Sequence, residues 1–144
     1  MAAGALLDTG PIVALVDPDD PWHQSCVEAL TAVRLPLLTS EAVLTELFYL
    51  VRRNPKALDA AWTFVLSGAV TIAPISDADL PALYALITQY RDHPMDFADA
   101  TLVHLARRES LTTILTVDHD DFETYRIDRG ARFRILPART VKPR

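Results

Sequence analysis

Two aspartates stand where buried strand gives way to polar sequence. Asp8 follows Ala5-Leu6-Leu7, and Asp118 follows Ile114-Leu115-Thr116-Val117. In open α/β sheets, ligands gather beyond the carboxyl ends of the strands. Two acids leaving parallel strands at one edge can therefore point into one crevice, although each alone could equally cap a helix. Asp96 and Asp99 form a second group, in His93-Pro94-Met95-Asp96-Phe97-Ala98-Asp99-Ala100. A spacing of three sets both on one face near a helix N-terminus, where the helix dipole favours negative charge. Asp96 reads as the N-cap. Asp99 reads as an N3 residue turned inward by the run that follows it. Glu46 lies in an almost wholly apolar helix whose core face is covered by Val43, Leu44, Leu47, Leu50 and Val51. An acid in such a place is seldom unpaired. It escapes at the edge or coordinates something.

Carboxylates held together raise one another's pKa, and a divalent cation removes the conflict. An all-oxygen set suits Mg²⁺ or Mn²⁺. Such an ion activates water for in-line attack and neutralises charge on a phosphate. No Cys/His ligand set points to zinc. His23, His93, His104 and His119 are scattered, and His119 reads as a solvated turn residue rather than a substrate contact. A haloacid-dehalogenase-type phosphatase would place a second Asp two residues after the first, but position 10 is Gly. A response receiver would need an acidic pair and a Lys after a later strand, and the only lysines are Lys56 and Lys142.

The acids need a scaffold, and the chain alternates short apolar runs with helical stretches. Strands are expected at Ala5–Leu7, Leu37–Leu38, Val70–Ala73, Thr113–Val117 and Phe133–Leu136. Helices are expected from Pro11 to about Val16, from Trp22 to Val33, from a Thr39 or Ser40 cap through Arg53, and from Pro55 to about Leu66. Two more run from a Ser76 or Asp77 cap to about Tyr90, and from Pro94 or Asp96 to about Glu109. The expected fold is one α/β domain over residues 1–144, a short parallel sheet flanked by helices.

The 144 residues suit one domain, half of them hydrophobic, with a single cysteine, Cys26, that reads as a small core residue. Neither a signal peptide nor an apolar run long enough to span a bilayer is expected, so the default location is cytoplasmic. The net charge of −5 argues against unspecialised nucleic-acid binding. The charge is uneven, however. Residues 1–50 hold seven acids against Arg34 alone, whereas residues 101–144 hold nine basic residues against six acids. The basic stretch of Arg126, Arg129, Arg132, Arg134, Arg139, Lys142 and Arg144 reads either as a solvated edge or as a surface for phosphate or a partner.

Taken in order, these segments resemble the PIN-domain family. They are Leu6-Leu-Asp8-Thr-Gly-Pro-Ile-Val-Ala-Leu, Thr39-Ser-Glu-Ala-Val-Leu-Thr-Glu46, Pro94-Met-Asp-Phe-Ala-Asp99-Ala-Thr-Leu-Val and Thr116-Val-Asp118-His-Asp-Asp121-Phe122. The branch they most resemble is that of the VapC-type toxins of bacterial toxin–antitoxin modules. The resemblance implies a small parallel-sheet fold, a carboxylate pocket for Mg²⁺ or Mn²⁺, and endonucleolytic cleavage of RNA. It carries the acidic set over to Asp8, Glu46, Asp99 and Asp118. Asp121 and Asp96 match further acids, and Thr9 and Thr116 match hydroxyl positions beside them. It also implies a cognate antitoxin and a homodimer. The alternative is a PIN-fold interaction module, or a nuclease in another RNA-processing role.

Overall fold

The computed structural model describes residues 2–139, so Lys142 and Arg144 lie outside the described residues. Five three-residue strands form one sheet: β1 (Ala5–Leu7), β2 (Leu37–Thr39), β3 (Val70–Ile72), β4 (Thr113–Leu115) and β5 (Arg134–Leu136). All pairings are parallel, and the order is β3-β2-β1-β4-β5. The chain winds outward from β1 to one edge, then returns to place β4 on its other side. The strand order therefore reverses between β1 and β4, where a crevice opens beyond the carboxyl ends of both.

Seven α-helices connect and cover the sheet among the described residues: α1 (Thr9–Val16), α2 (His23–Thr31), α3 (Glu41–Val51), α4 (Pro55–Leu66), α5 (Leu80–Gln89), α6 (Phe97–Arg108) and α7 (His119–Thr124). Strand alternation sorts the core into two layers. Leu6, Leu38 and Ile114 pack with Leu83, Leu86, Leu102, Leu105 and Phe122 of α5, α6 and α7. Ala5, Leu7, Leu37 and Leu115 point the other way, onto Ile12, Ala29, Leu47 and Ala61 of α1 to α4. The central strands are buried on both faces, which is why their sequence reads as continuous apolar runs.

The helix starts follow local chemistry. Ser40 caps α3 by accepting from the Val43 N–H, and Asn54 caps α4 by accepting from Ala57, with Pro55 in its first turn. Ser76 caps a 3-10 turn, Asp77–Asp79, that leads into α5. Three expectations need correction. The strand at Thr113 ends at Leu115 and not at Val117, because Thr116 turns its hydroxyl to the two flanking acids. The helix α7 and a 3-10 turn at Asp128–Gly130 fill a stretch to which no element was assigned. His119 is buried rather than solvated: its Nε2 lies 2.8 Å from the Pro137 carbonyl, and its ring packs on Trp22. Cys26 is a core residue, and burial pushes its thiol up to about 11.

Candidate active site

Three helix N-termini meet at the crevice between β1 and β4, and an aspartate occupies each. Asp8 is the N-cap of α1, its Oδ1 accepting from the Thr9 N–H at 2.8 Å. Asp96 is the N-cap of α6, accepting from the N–H of Asp99 at 2.8 Å, and Asp99 is the third residue of that helix. Asp118 occupies the N-cap position of α7, but its side chain makes no capping bond. The cap interpretation therefore holds for Asp8 and Asp96 and fails for Asp118. The positive ends of three helix dipoles offset part of the negative charge gathered here.

Two hydroxyls tie the elements together. Thr116, fully buried, donates to Asp8 Oδ2 at 2.8 Å and accepts from the Asp118 N–H at 3.0 Å. One side chain thus fixes both acids that leave β1 and β4. Tyr125, also fully buried, donates its phenol to Asp99 Oδ2 at 2.9 Å. Its ring packs edge-on against Tyr90, His93 and Phe122. The first turn of α1 and the segment after β4 approach closely because residue 10 is glycine: a Cβ there would lie 2.5 Å from Val117 Cγ2.

Carboxylate oxygens of Asp99, Asp118 and Asp121 all lie within 4.8 Å of one another. Asp8 is close enough for its charge to be felt by Asp99 and for it to feel Asp118. Burial first, then neighbouring acids, raises Asp99 to about 8, against the opposing Tyr125 bond. Burial also raises Asp8 to about 6, partly offset by Thr116 and Thr9. Asp118 is raised to about 6, by loss of water around the carboxyl and then by the adjoining Asp121, even though the residue as a whole is exposed. Glu46 sits outside the tight group, on the exposed side of α3. Its carboxyl is displaced upward by partial desolvation and by Asp96. Thr9 is buried, its hydroxyl donating to the Val43 carbonyl at 3.3 Å.

The structure thus brings Asp8, Asp99 and Asp118 together, adds Asp121 at ligand distance, and places Glu46 at the rim with Asp96, near enough for its charge to raise Asp8. Two contributors escaped the sequence reading. Tyr125 has no motif of its own, and it follows α7, a helix too short for a sequence pattern to announce. His93, whose Nε2 lies 2.5 Å from Asp121 Oδ1, was among the scattered histidines. The donor set fits a hard divalent cation: it is all carboxylate oxygen, and Asp8, Asp99 and Asp118 resist ionisation as they stand.

The basic stretch lies elsewhere. Arg134 opens β5 and is in register with Thr113, the first residue of β4. The segment from Arg126 to Arg134 therefore stands at the amino edge of the sheet, opposite the carboxylates. Arg139 is held by Asp120 and Glu123 beside α7. Among the described residues, no helix is long and apolar enough to cross a membrane.

Residues 5–128 match the model of the PIN domain family. The chain is 32% identical over 134 residues to Ribonuclease VapC26 of Mycobacterium tuberculosis, covering 92% of this chain and 99% of that protein. In fold it is similar to VapC20 of the same organism, described as a toxin that cleaves the sarcin-ricin loop. That match has a TM-score of 0.72 at 21% identity, over 81% of this chain and 91% of the other. It is also similar to a chain of a toxin–antitoxin complex from Klebsiella pneumoniae, with a TM-score of 0.64 at 20% identity, over 88% of this chain and 94% of that one. An acid-lined crevice at the strand-order reversal, on a sheet of this topology, agrees with these likenesses: the chain belongs to the PIN-domain family and stands with its VapC-type members.

Proposed function

We propose that this protein is a divalent-metal-dependent endoribonuclease, the toxin of a type II toxin–antitoxin pair, working in the cytoplasm as one domain over residues 1–144. The observation that carries the metal centre is the convergence of three carboxylates within 4.8 Å, with a fourth, Asp8, buried beside them. Mg²⁺ or Mn²⁺ held there would neutralise phosphate charge and activate water for attack on the RNA backbone. In this reading Asp99, Asp118 and Asp121 supply oxygen ligands, and Asp8 closes the floor. Thr116 orients Asp8 and Asp118. Tyr125 holds one oxygen of Asp99 and keeps the carboxyl aimed at the crevice. Glu46 and Asp96 form the entrance, where an incoming phosphate meets them only with a cation between. A cognate antitoxin that offers a guanidinium or ammonium group to the same acids would compete with the metal. Exposed Leu80, Tyr84 and Phe97 on α5 and the start of α6 offer an apolar surface for a homodimer.

Purified protein is expected to cleave RNA with Mn²⁺ or Mg²⁺ and to stop in EDTA. Undiminished cleavage in EDTA would refute the metal centre. Absence of cleavage with either metal, in protein that still binds its antitoxin, would favour an interaction module.

A further inference from the structure

The amino edge of the sheet carries a cationic feature that the carboxylate centre does not use. Arg126 and Arg132 pair as an antiparallel bridge, and the Ile127 N–H donates to the Ala131 carbonyl at 2.8 Å, closing a small hairpin. Its tip is Arg129, with a φ of 64°, a region that residues bearing a Cβ seldom adopt. Two buried residues, Ile127 and Phe133, root the hairpin in the core. Because Phe133 points inward between them, the extended chain turns Arg132 and Arg134 outward on one face. They are two residues apart, about 6.6 Å along the strand, comparable to the spacing of successive phosphates on a nucleic-acid strand.

Among the described residues, Arg129, Arg132 and Arg134 are exposed and have no acidic partner within ion-pair distance. The one acid in the hairpin, Asp128, faces Arg107 instead, 3.5 Å from its Nε. Arg107 also donates to the Arg126 carbonyl and props the turn against α6. Protection of an edge strand would account for Arg134, since β5 is the sheet edge. It does not account for Arg129, which lies in the turn outside the sheet.

We propose that Arg129, Arg132 and Arg134 form a phosphate-gripping surface for a folded RNA, part of which lies at the same time at the carboxylates. The proposal rests on the ribonuclease reading and deepens it. Thr113 opens β4 and Asp118 lies five residues on, beyond its end, so the two positions stand at most about 16 Å apart at about 3.3 Å per residue. A stem-loop spans that interval, whereas a tetranucleotide with its central phosphate at the acids extends only about one phosphate spacing, roughly 7 Å, to either side and does not reach the arginines. A catalytic crevice rich in negative charge has poor grip on RNA, and a remote cationic surface supplies it.

The test compares wild type with a triple variant, Arg129→Glu, Arg132→Glu and Arg134→Glu, and with the corresponding triple Arg→Lys variant. Binding of a stem-loop RNA is measured in EDTA across a salt series, and Mn²⁺-dependent cleavage is measured on the stem-loop and on a single-stranded tetranucleotide. The Glu variant should bind the stem-loop at least about tenfold more weakly at low salt, with a log–log salt slope shallower by about two. It should cleave the tetranucleotide within about twofold of wild type, and the Lys variant should keep most of the binding. Stem-loop binding by the Glu variant equal to wild type, or an equal loss on both RNAs, overturns the surface. Loss of antitoxin binding with RNA binding intact assigns it to a protein partner and overturns the RNA proposal. Wild-type protein that cleaves neither RNA overturns the ribonuclease reading itself.

Discussion

Asp79 and Asp99 are the same side chain in two opposite circumstances. Asp79, at the end of the turn before α5, accepts from the Ser76 N–H at 2.8 Å and from the Ser76 hydroxyl at 3.1 Å. His104 Nε2 lies 2.8 Å from its other oxygen, and Arg108 stands at 3.3 Å. The Ser76 backbone bond first, then His104 and Arg108, hold its carboxyl well below the usual range. Asp99 has one donor, Tyr125, and acidic neighbours at Asp8, Asp96 and Asp121 that help drive it up to about 8. This fold therefore surrounds an aspartate with donors where the acid has a structural task. Where it buries acids against acids, the carboxyls are pushed toward their neutral form, an arrangement that a cation from outside the chain would relieve.

The largest effect should separate the two regions outright. Asp99→Asn or Asp8→Asn should cut RNA cleavage by about a hundredfold or more, the scale of several kcal/mol of lost transition-state stabilisation. Neither should melt below wild type in EDTA, since each removes a repelled charge. Asp79→Asn should do the reverse, melting lower while cleaving at the wild-type rate per folded molecule. Melting curves beside a cleavage assay decide it. A cleavage-dead Asp79→Asn, or an Asp99→Asn that melts well below wild type in EDTA, breaks the distinction.

A smaller effect sharpens it. Tyr125→Phe keeps the ring against Tyr90 and Phe122 and removes only the donor to Asp99. Stability should fall by about 1 kcal/mol. Mn²⁺ affinity, read by calorimetry, should drop about tenfold, as when other groups that orient metal ligands are lost. Affinity unchanged from wild type would make the phenol a core-filling group with no bearing on the site.

Much of this was legible in the sequence, for physical reasons. Leu6-Leu7 and Ile114-Leu115 read as strands because they are buried on both faces, so the acids that follow them were placed correctly at one sheet edge. Asp96 was legible as a cap because N-capping is local chemistry. What failed was long-range or weakly patterned. The helix α7 has six residues, three of them acidic, too short and too polar for periodicity to mark it. Without α7, Tyr125 could not be brought onto Asp99, nor Asp121 promoted from a supporting acid to one at ligand distance. Glu46 was expected among the acids, and it lies on the exposed side of α3, one residue off the stripe that Val43 and Leu47 bury, close enough for its charge to raise Asp8. The basic stretch was visible as composition. Its place opposite the acids depended on the register of β5 with β4.

The most direct test of the central claim is a thermal melt of wild type and Asp99→Asn across pH 4 to 8, with EDTA and with saturating Mn²⁺. Asp8 and Asp118 stand at about 6 and Asp99 at about 8 in the folded chain, above an ordinary value of 3.8. A raised carboxyl favours the folded state while protonated. Its contribution is therefore whole below about pH 4 and is lost as the pH climbs through 6 to 8. The lowered Asp79 runs the other way, its contribution being lost only as the pH falls below its ordinary value. In EDTA, wild type should lose stability relative to Asp99→Asn by a few kcal/mol between pH 4 and 8. Mn²⁺ should restore most of that loss in wild type and much less in the variant. Parallel pH profiles in EDTA, or equal stabilisation of both proteins by Mn²⁺, would contradict a carboxylate centre built around a cation.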